Sequence, residues 1–419
     1  MTCTPTERNE LRKLAGATAE IAALPVHRER ADSWAALNDL KPARPMVSIF
    51  QVPWEEMNVD DELTLRCSDP LCRRAEKALR RQLYQWRHFP GDMVVDACYR
   101  HAPTITCDSH GIDVEEDTVA QSEDAGVRSH QYHGLIRSEE DVERIQPPYM
   151  HLDREKTDGE IAMLSDAIGD LLPVRMRNIT TMNFAPWDWL VACWNPQQAL
   201  MDMVLKPDLV HLAMERTVAT YGRVLDKVLA DGLLRVEAGN FTVGQGGPGY
   251  TSELPQPDYD GEHARTCDVW GGAMAQIFSE VSPEMHEEFA LQYEARLMKR
   301  FGLTYYGCCE PLHRKVGIVA KHLPNLRKIS MSPWVDIGVG AEAIGDRYVF
   351  SFKPNPAFLA SDAQWDRTSV RSQIEELLEK TKGCAVEIIL KDISTVRHEP
   401  RRLWEWHDLV MDMIGEGIE

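Results

Sequence analysis

The spacing of apolar residues divides the chain into short buried runs and longer amphipathic ones. Residues 1–44 read as helical: TERNELRKLAGATAEIAAL carries apolar positions three and four apart, with Thr4 or Thr6 as its cap, and ERADSWAALNDL follows before Lys41-Pro42. Short apolar runs predict strands beginning near Met46, Met93, Val174, Leu233, Leu303, Leu326, Tyr348 and Ala385. Most are followed by an amphipathic stretch, and Pro196 and Pro207 open helices at first-turn positions. Strands alternating with helices imply a parallel sheet. Eight such units predict an α/β fold of the (β/α)8 TIM-barrel class over 45–419, with 1–44 as an N-terminal helical extension. Two stretches interrupt the alternation. Residues 101–147 are rich in Asp, Glu, Ser and His with weak periodicity, which predicts an insertion. Residues 239–272 read as a long loop opening on GNFTVGQGGPG. Its glycine run 244–249 is not followed by a helix, so it predicts a mobile lid rather than a phosphate cradle.

Charge and composition narrow the picture. The 419 residues hold 46 Lys plus Arg against 66 Asp plus Glu, a formal net charge of −20. A duplex nucleic-acid partner needs a basic face, and none is visible. No run of eighteen apolar residues marks a membrane span. The first residues, MTCTPTERNELRKL, have no apolar signal region, and the ten cysteines are scattered, so a cytoplasmic chain with reduced thiols is expected. Cys67 and Cys72, in RCSDPLC, stand at the edge of zinc-finger spacing with no second pair close by.

In a barrel the chemistry sits at the C-terminal strand ends. That rule points to Gln51 and Trp54, Asp96, Glu237 and Asn240, Cys308 to Glu310, Trp334, Lys353 and Asn355, and Lys391 and Asp392. The densest ligand-type cluster is YYGCCEPLH, residues 305–313. Cys309 and Glu310, facing Glu237 and Asp392 across the mouth, form the expected zinc set with an open position. Glu237 and Asp392 are also the expected catalytic carboxylates. Neighbouring strand residues point to opposite sides, so Cys308 is expected to pack outward. Trp54, Phe184, Trp187 and Trp334 are candidate walls of an aromatic pocket, with Asn240 and Asn355 as polar contacts. Bland readings stand beside these: Trp187, Trp189 and Trp194 are at helical spacing that suits core, His130, Tyr132 and His133 suit a polar surface, and the acidic residues of 113–124 suit a solvated loop.

Three stretches resemble the uroporphyrinogen decarboxylase-like superfamily, which includes zinc- and corrinoid-dependent methyltransferases. They are QQALMDMVLKPD with the helix leading into DGLLRVE, then YYGCCEPL with KISMSP, and FKPNP, which resembles the Gly-Asn turn of that superfamily. They cover the second half of the chain. The resemblance implies a (β/α)8 barrel with its site at the mouth. The Arg-rich N-terminal motif that binds a polyanionic porphyrin is missing, which directs the reading to the methyltransferase branch. That branch carries His-x-Cys after its fifth strand and Cys after its last; here the chain reads Gly307-Cys308-Cys309 and Leu390-Lys391-Asp392, so carboxylates must complete the ligand set. The resemblance therefore implies a zinc-dependent methyltransferase that moves a methyl group from a small methylated donor, favoured as an aryl methyl ether, to a corrinoid protein. A homo-oligomer is compatible with it. The rival readings are a metal-free decarboxylase or lyase with Asp96 or Asp392 as acid–base group, and a non-catalytic barrel that binds a corrinoid or tetrapyrrole.

Overall fold

The computed structural model describes residues 3–108, 110–120, 128–361 and 364–416. The acidic run at 113–124 lies partly outside them. Seven parallel strands form one sheet among the described residues: β1 (Met46–Ile49), β2 (Thr181–Phe184), β3 (Trp270–Ala273), β4 (Leu303–Tyr306), β5 (Leu326–Met331), β6 (Val349–Phe352) and β7 (Ala385–Leu390). Their spatial order is β1-β7-β6-β5-β4-β3-β2, so the first strand pairs with the last, Met46 opposite Glu387. Every residue of β3, β4 and β6 is buried, the signature of parallel strands covered on both faces. Helices cover the outer face, and several start on side-chain caps: Asp336 accepts from Val339 N at 3.1 Å and Asp366 from Ser369 N at 3.0 Å. No helix among the described residues is long and apolar enough to cross a membrane.

The strands expected near Met46, Leu303, Leu326, Tyr348 and Ala385 are all present. The one expected near Met93 is not, because Asp92 turns the chain there. Its carboxylate takes Val47 N at 2.8 Å and both Arg44 guanidinium nitrogens, while Asp92 N donates to Val47 O. The run starting at Val174 divides. Val174–Met176 pairs with Tyr99–His101 in a separate two-stranded unit, and the chain enters the main sheet only at β2. The run at Leu233 makes a single bridge, Ile179 to Leu234. Conversely, the end of the stretch read as a loop supplies β3. Its Trp-Gly-Gly-Ala has little β propensity but has to be small: a Cβ on Gly271 would stand 2.6 Å from the Phe301 ring, and one on Gly272 would collide with Asn183 Oδ1.

The N-terminal helices are built into the body. Pro5–Ala22, capped by Thr4, packs on Pro70–His88 and Arg154–Ile168, closing a second core around Leu11, Leu14, Leu71, Leu79 and Leu164. Val26–Asn38 places Trp34 against the start of the sheet, where its Nε1 donates to Asp92 O at 2.9 Å. Within 101–147, Glu116–Ala120 and Arg128–Tyr132 form an antiparallel hairpin. The glycine run 244–249 is no lid. It lies buried on the inner face of the sheet, where Gly244, at φ +57, is pressed on the Tyr305 ring and a Cβ on Gly247 would stand 2.5 Å from Trp34.

Candidate active site

Alternation along β4 to β7 sends a set of polar side chains to the inner face: Tyr305, Lys328, Ser330, Ser351, Lys353 and Glu387. At the lower level Lys328 Nζ meets Glu387 Oε2 at 2.8 Å, both fully buried, with the ammonium over the Trp34 and Trp270 rings. Gly247 N also donates to Glu387 at 3.2 Å. One level up, Lys353 Nζ donates to Ser351 Oγ at 2.7 Å, to Ser351 O at 3.0 Å and to the Tyr305 hydroxyl. Burial pushes the Lys353 amine down to about 7, an effect that Glu387 partly opposes and Lys391 reinforces.

Above this column lie the strand ends. After β4, Gly307 turns the chain at φ +101, a conformation that favours glycine. The strand has therefore stopped before the cysteine pair, and strand alternation no longer separates the two side chains. Cys308 Sγ and Cys309 Sγ are 3.3 Å apart. Cys308 faces inward, only 5% exposed, with Lys391 Nζ at 3.4 Å, so the expected outward packing does not occur. Cys309 faces the mouth and reaches Asp392 Oδ2 at 3.9 Å. The Cys308 thiol is held below its ordinary value, first by the hydrogen bond from Cys309 and then by the Lys391 ammonium, against burial. Cys309, as the donor, is pushed strongly up. Asp392 adopts φ +57, receives Lys391 Nζ at 3.0 Å on its carboxylate, and donates its N–H to Gln51 Oε1 at 3.2 Å.

A second acidic group adjoins this one. Glu310 is fully buried and accepts from Cys308 N at 2.8 Å and Ala275 N at 3.2 Å. It braces the turn that carries the cysteines. Asp188 accepts from Gln276 Nε2 at 2.8 Å and has its other oxygen buried without a partner. Burial, with the charge of Glu310, pushes Asp188 up to about 6.

No family model matches the chain, and no curated protein matches it. The placement of each predicted residue therefore rests on geometry. Cys309 lies 3.9 Å from Asp392, while Glu310 is taken up by the backbone N–H groups of Cys308 and Ala275. Glu237 does not join them. It is bound by Arg100 at 2.5 Å and Asn178 at 2.8 Å, and lines a cavity of about 400 Å³ with Thr180, Asp268 and Trp270, at the N-terminal ends of β2 and β3. Its strand-end position in sequence is misleading because the Leu233 run does not form a sheet strand. Asn240 donates to Val94 O at 3.0 Å on that same side. Asp96 pairs with Arg100. Phe184 and Trp187 are fully buried behind the sheet, Phe184 on Tyr221 and Phe301, Trp187 on Phe278 with its Nε1 donating to Phe289 O. Trp54 packs on Tyr84 and Phe89 under the Arg81 guanidinium. Asn355 caps the short turn Pro356–Leu359. Trp334, 69% exposed just after β5, is the indole left open to solvent at the strand ends. Sequence reasoning gave no role to Lys353, Lys391 or Asp188. The first two did stand at strand ends, and the every-second-residue polar pattern Lys328-x-Ser330 and Ser351-x-Lys353 was the available signal.

Proposed function

We propose that the chain is an enzyme whose reaction takes place at the cysteine–lysine–aspartate cluster above β4 and β7, and that it transfers a methyl group from a small methylated donor, favoured as an aryl methyl ether, to a corrinoid protein. The observation that carries this reading is the pair of sulfurs 3.3 Å apart, facing Asp392 at 3.9 Å. In a tetrahedral zinc site with Zn–S of ~2.3 Å, two sulfurs sit ~3.8 Å apart; the ligand atoms of Cys308, Cys309 and Asp392 do not all lie within 4.8 Å of one another, so Asp392 would have to swing in, and the Lys391 ammonium move aside, for the three to hold the ion. Glu237 and Glu310 would not take part. The zinc ion, when bound, supplies a Lewis acid for the ether oxygen. The chain's own residues do the rest. Lys391 balances the negative charge of Cys308 and Asp392. Lys353, titrating at about 7, holds a proton that the departing phenolate oxygen needs as its bond to the methyl carbon breaks. The exposed Trp334 offers a flat apolar face at the entrance. In this reading the seven strands are the larger part of a (β/α)8 barrel, and the protein is a cytoplasmic one.

A second reading has its own support. Asp188 at about 6 and Lys353 at about 7 are two groups whose values suit acid–base work in metal-free decarboxylation or lyase chemistry. Zinc analysis with a methyl-transfer assay separates the two. The expected result is that Cys308→Ala/Cys309→Ala loses one equivalent of zinc together with methyl transfer to an added corrinoid protein. Unchanged zinc in that variant, or turnover that survives zinc removal, would overturn the methyltransferase reading and favour the lyase.

A further inference from the structure

Far from the strand ends, Cys3 meets the sequence-distant pair Cys67 and Cys72 at the corner where Pro5–Ala22 and Pro70–His88 both begin. Cys3 precedes the first helix and is half-buried. Cys67 lies in the segment leading to the second helix, and Cys72 in its first turn; both are buried. The ligand atoms of Cys3, Glu7 and Cys72 lie within 4.8 Å of one another, and no other such group of His, Cys, Asp and Glu occurs among the described residues.

Glu7 organises this corner. Its Oε1 accepts from Ser68 N and Asp69 N, each at 2.8 Å, and its Oε2 from Thr4 N at 3.0 Å and Thr4 Oγ1 at 2.7 Å. Three of those donors are backbone groups and fixed. The fourth is a hydroxyl that can rotate and that already accepts from Glu7 N at 3.3 Å. Turning it away frees a lone pair on Oε2 without moving either helix. Both helices also direct their positive ends at the corner, which favours negative charge there.

We propose that Cys3, Cys72 and Glu7 form a binding site for a thiophilic divalent cation of the zinc type, with water in the fourth position on the half-exposed side. Two sulfurs select zinc over magnesium or calcium. Closing the ligands to bonding distance requires a contraction that Cys3, outside any helix, can supply. Binding one zinc ion displaces the two thiol protons to solvent, so affinity falls as pH falls. The bound ion would fasten the start of the first helix to the start of Pro70–His88 and reinforce the second core.

Cobalt(II) is the probe, added to the full chain carrying Cys308→Ala and Cys309→Ala so that the strand-end sulfurs are silent. The expected result is one equivalent bound with sulfur-to-cobalt charge-transfer absorption, weakened at least about tenfold by Cys3→Ser and by Cys72→Ser. Cys267→Ser is the control that leaves the bands in place. Cys3→Ser keeps the proposal testable if Cys72→Ser fails to fold. Absence of charge-transfer bands, or bands that persist in Cys3→Ser, would overturn the site. Neither outcome bears on the strand-end cluster, which this background has already removed.

Discussion

The ammonium of Lys391 lies 3.4 Å from the sulfur of Cys308, at the end of the strand next but two to the one that carries the cysteine. A cation at that distance favours thiolate over thiol, and burial alone would do the reverse. Lys391→Met is therefore expected to raise the Cys308 titration, which the hydrogen bond from Cys309 and the Lys391 ammonium hold down, and so to lower the thiolate fraction near neutrality. Thiolate absorbance at about 240 nm, followed against pH in wild type and variant, reads this directly. An unchanged titration would mean that the hydrogen bond from Cys309, and not Lys391, stabilises the Cys308 thiolate.

Lys353 gives a pH-dependent stability with a definite sign. Its folded value, about 7, lies below the ordinary lysine value of 10.5. Between those limits the unfolded chain binds more protons than the folded one, so stability rises with pH across that window. Below about 7 both states are protonated and the full cost of burying the ammonium is present. Lys353→Met removes that cost, and Tyr305 Oη and Ser351 Oγ keep each other at 3.1 Å. The variant is expected to be more stable than wild type at pH ~6, by on the order of 3 kcal/mol, with the difference shrinking toward pH ~10. Urea unfolding at several pH values tests it, and a pH-independent difference would contradict it.

The Lys328–Glu387 pair is fully buried, so removing one partner is costlier than removing both. Lys328→Met should lose about 3–5 kcal/mol because Glu387 is left charged among Trp34, Trp270 and the glycine run. Lys328→Met/Glu387→Leu should recover a substantial part. A double-mutant cycle by urea denaturation measures the coupling, and additive losses would show the pair to be uncoupled.

Two glycines separate conformational freedom from space. Gly272→Ala drives a methyl group into Asn183 and is expected to cost about 1–3 kcal/mol. Gly16→Ala lies within Pro5–Ala22, meets nothing within 4 Å, and should stabilise by roughly 0.5–1 kcal/mol. Opposite shifts in thermal midpoint are the expected outcome.

These residues also show what was legible in the sequence. Strands with branched or aromatic residues, such as Leu326–Met331 and Ala385–Leu390, announced themselves by local pattern. Trp270–Ala273 did not, because its identity as a strand comes from neighbours that demand glycine. Asp92–Cys98 looked like a strand and was not, because Arg44 and Val47 claim Asp92. The cysteine cluster was found from residue type and strand-end position, but the inward turn of Cys308 depends on the φ of Gly307, and the charges beside it come from another strand. Glu237 was misplaced for the same reason that Lys353 was overlooked: a residue's depth and its facing partners are set by tertiary packing.

The pairing of β1 with β7 bears on how the chain reaches this structure. From β2 to β7 each new strand docks beside its predecessor, so the sheet can grow as the chain lengthens. β1 cannot take part, since among the described residues its sheet neighbour is the last strand to arrive. Until then its four residues are an unpaired edge, held near Asp92 and awaiting a distant partner. High sequence separation of this kind slows folding and prolongs exposure of sticky intermediates. A nascent chain stalled ahead of Ala385 would thus leave an apolar strand for chaperones, or for another copy, to capture.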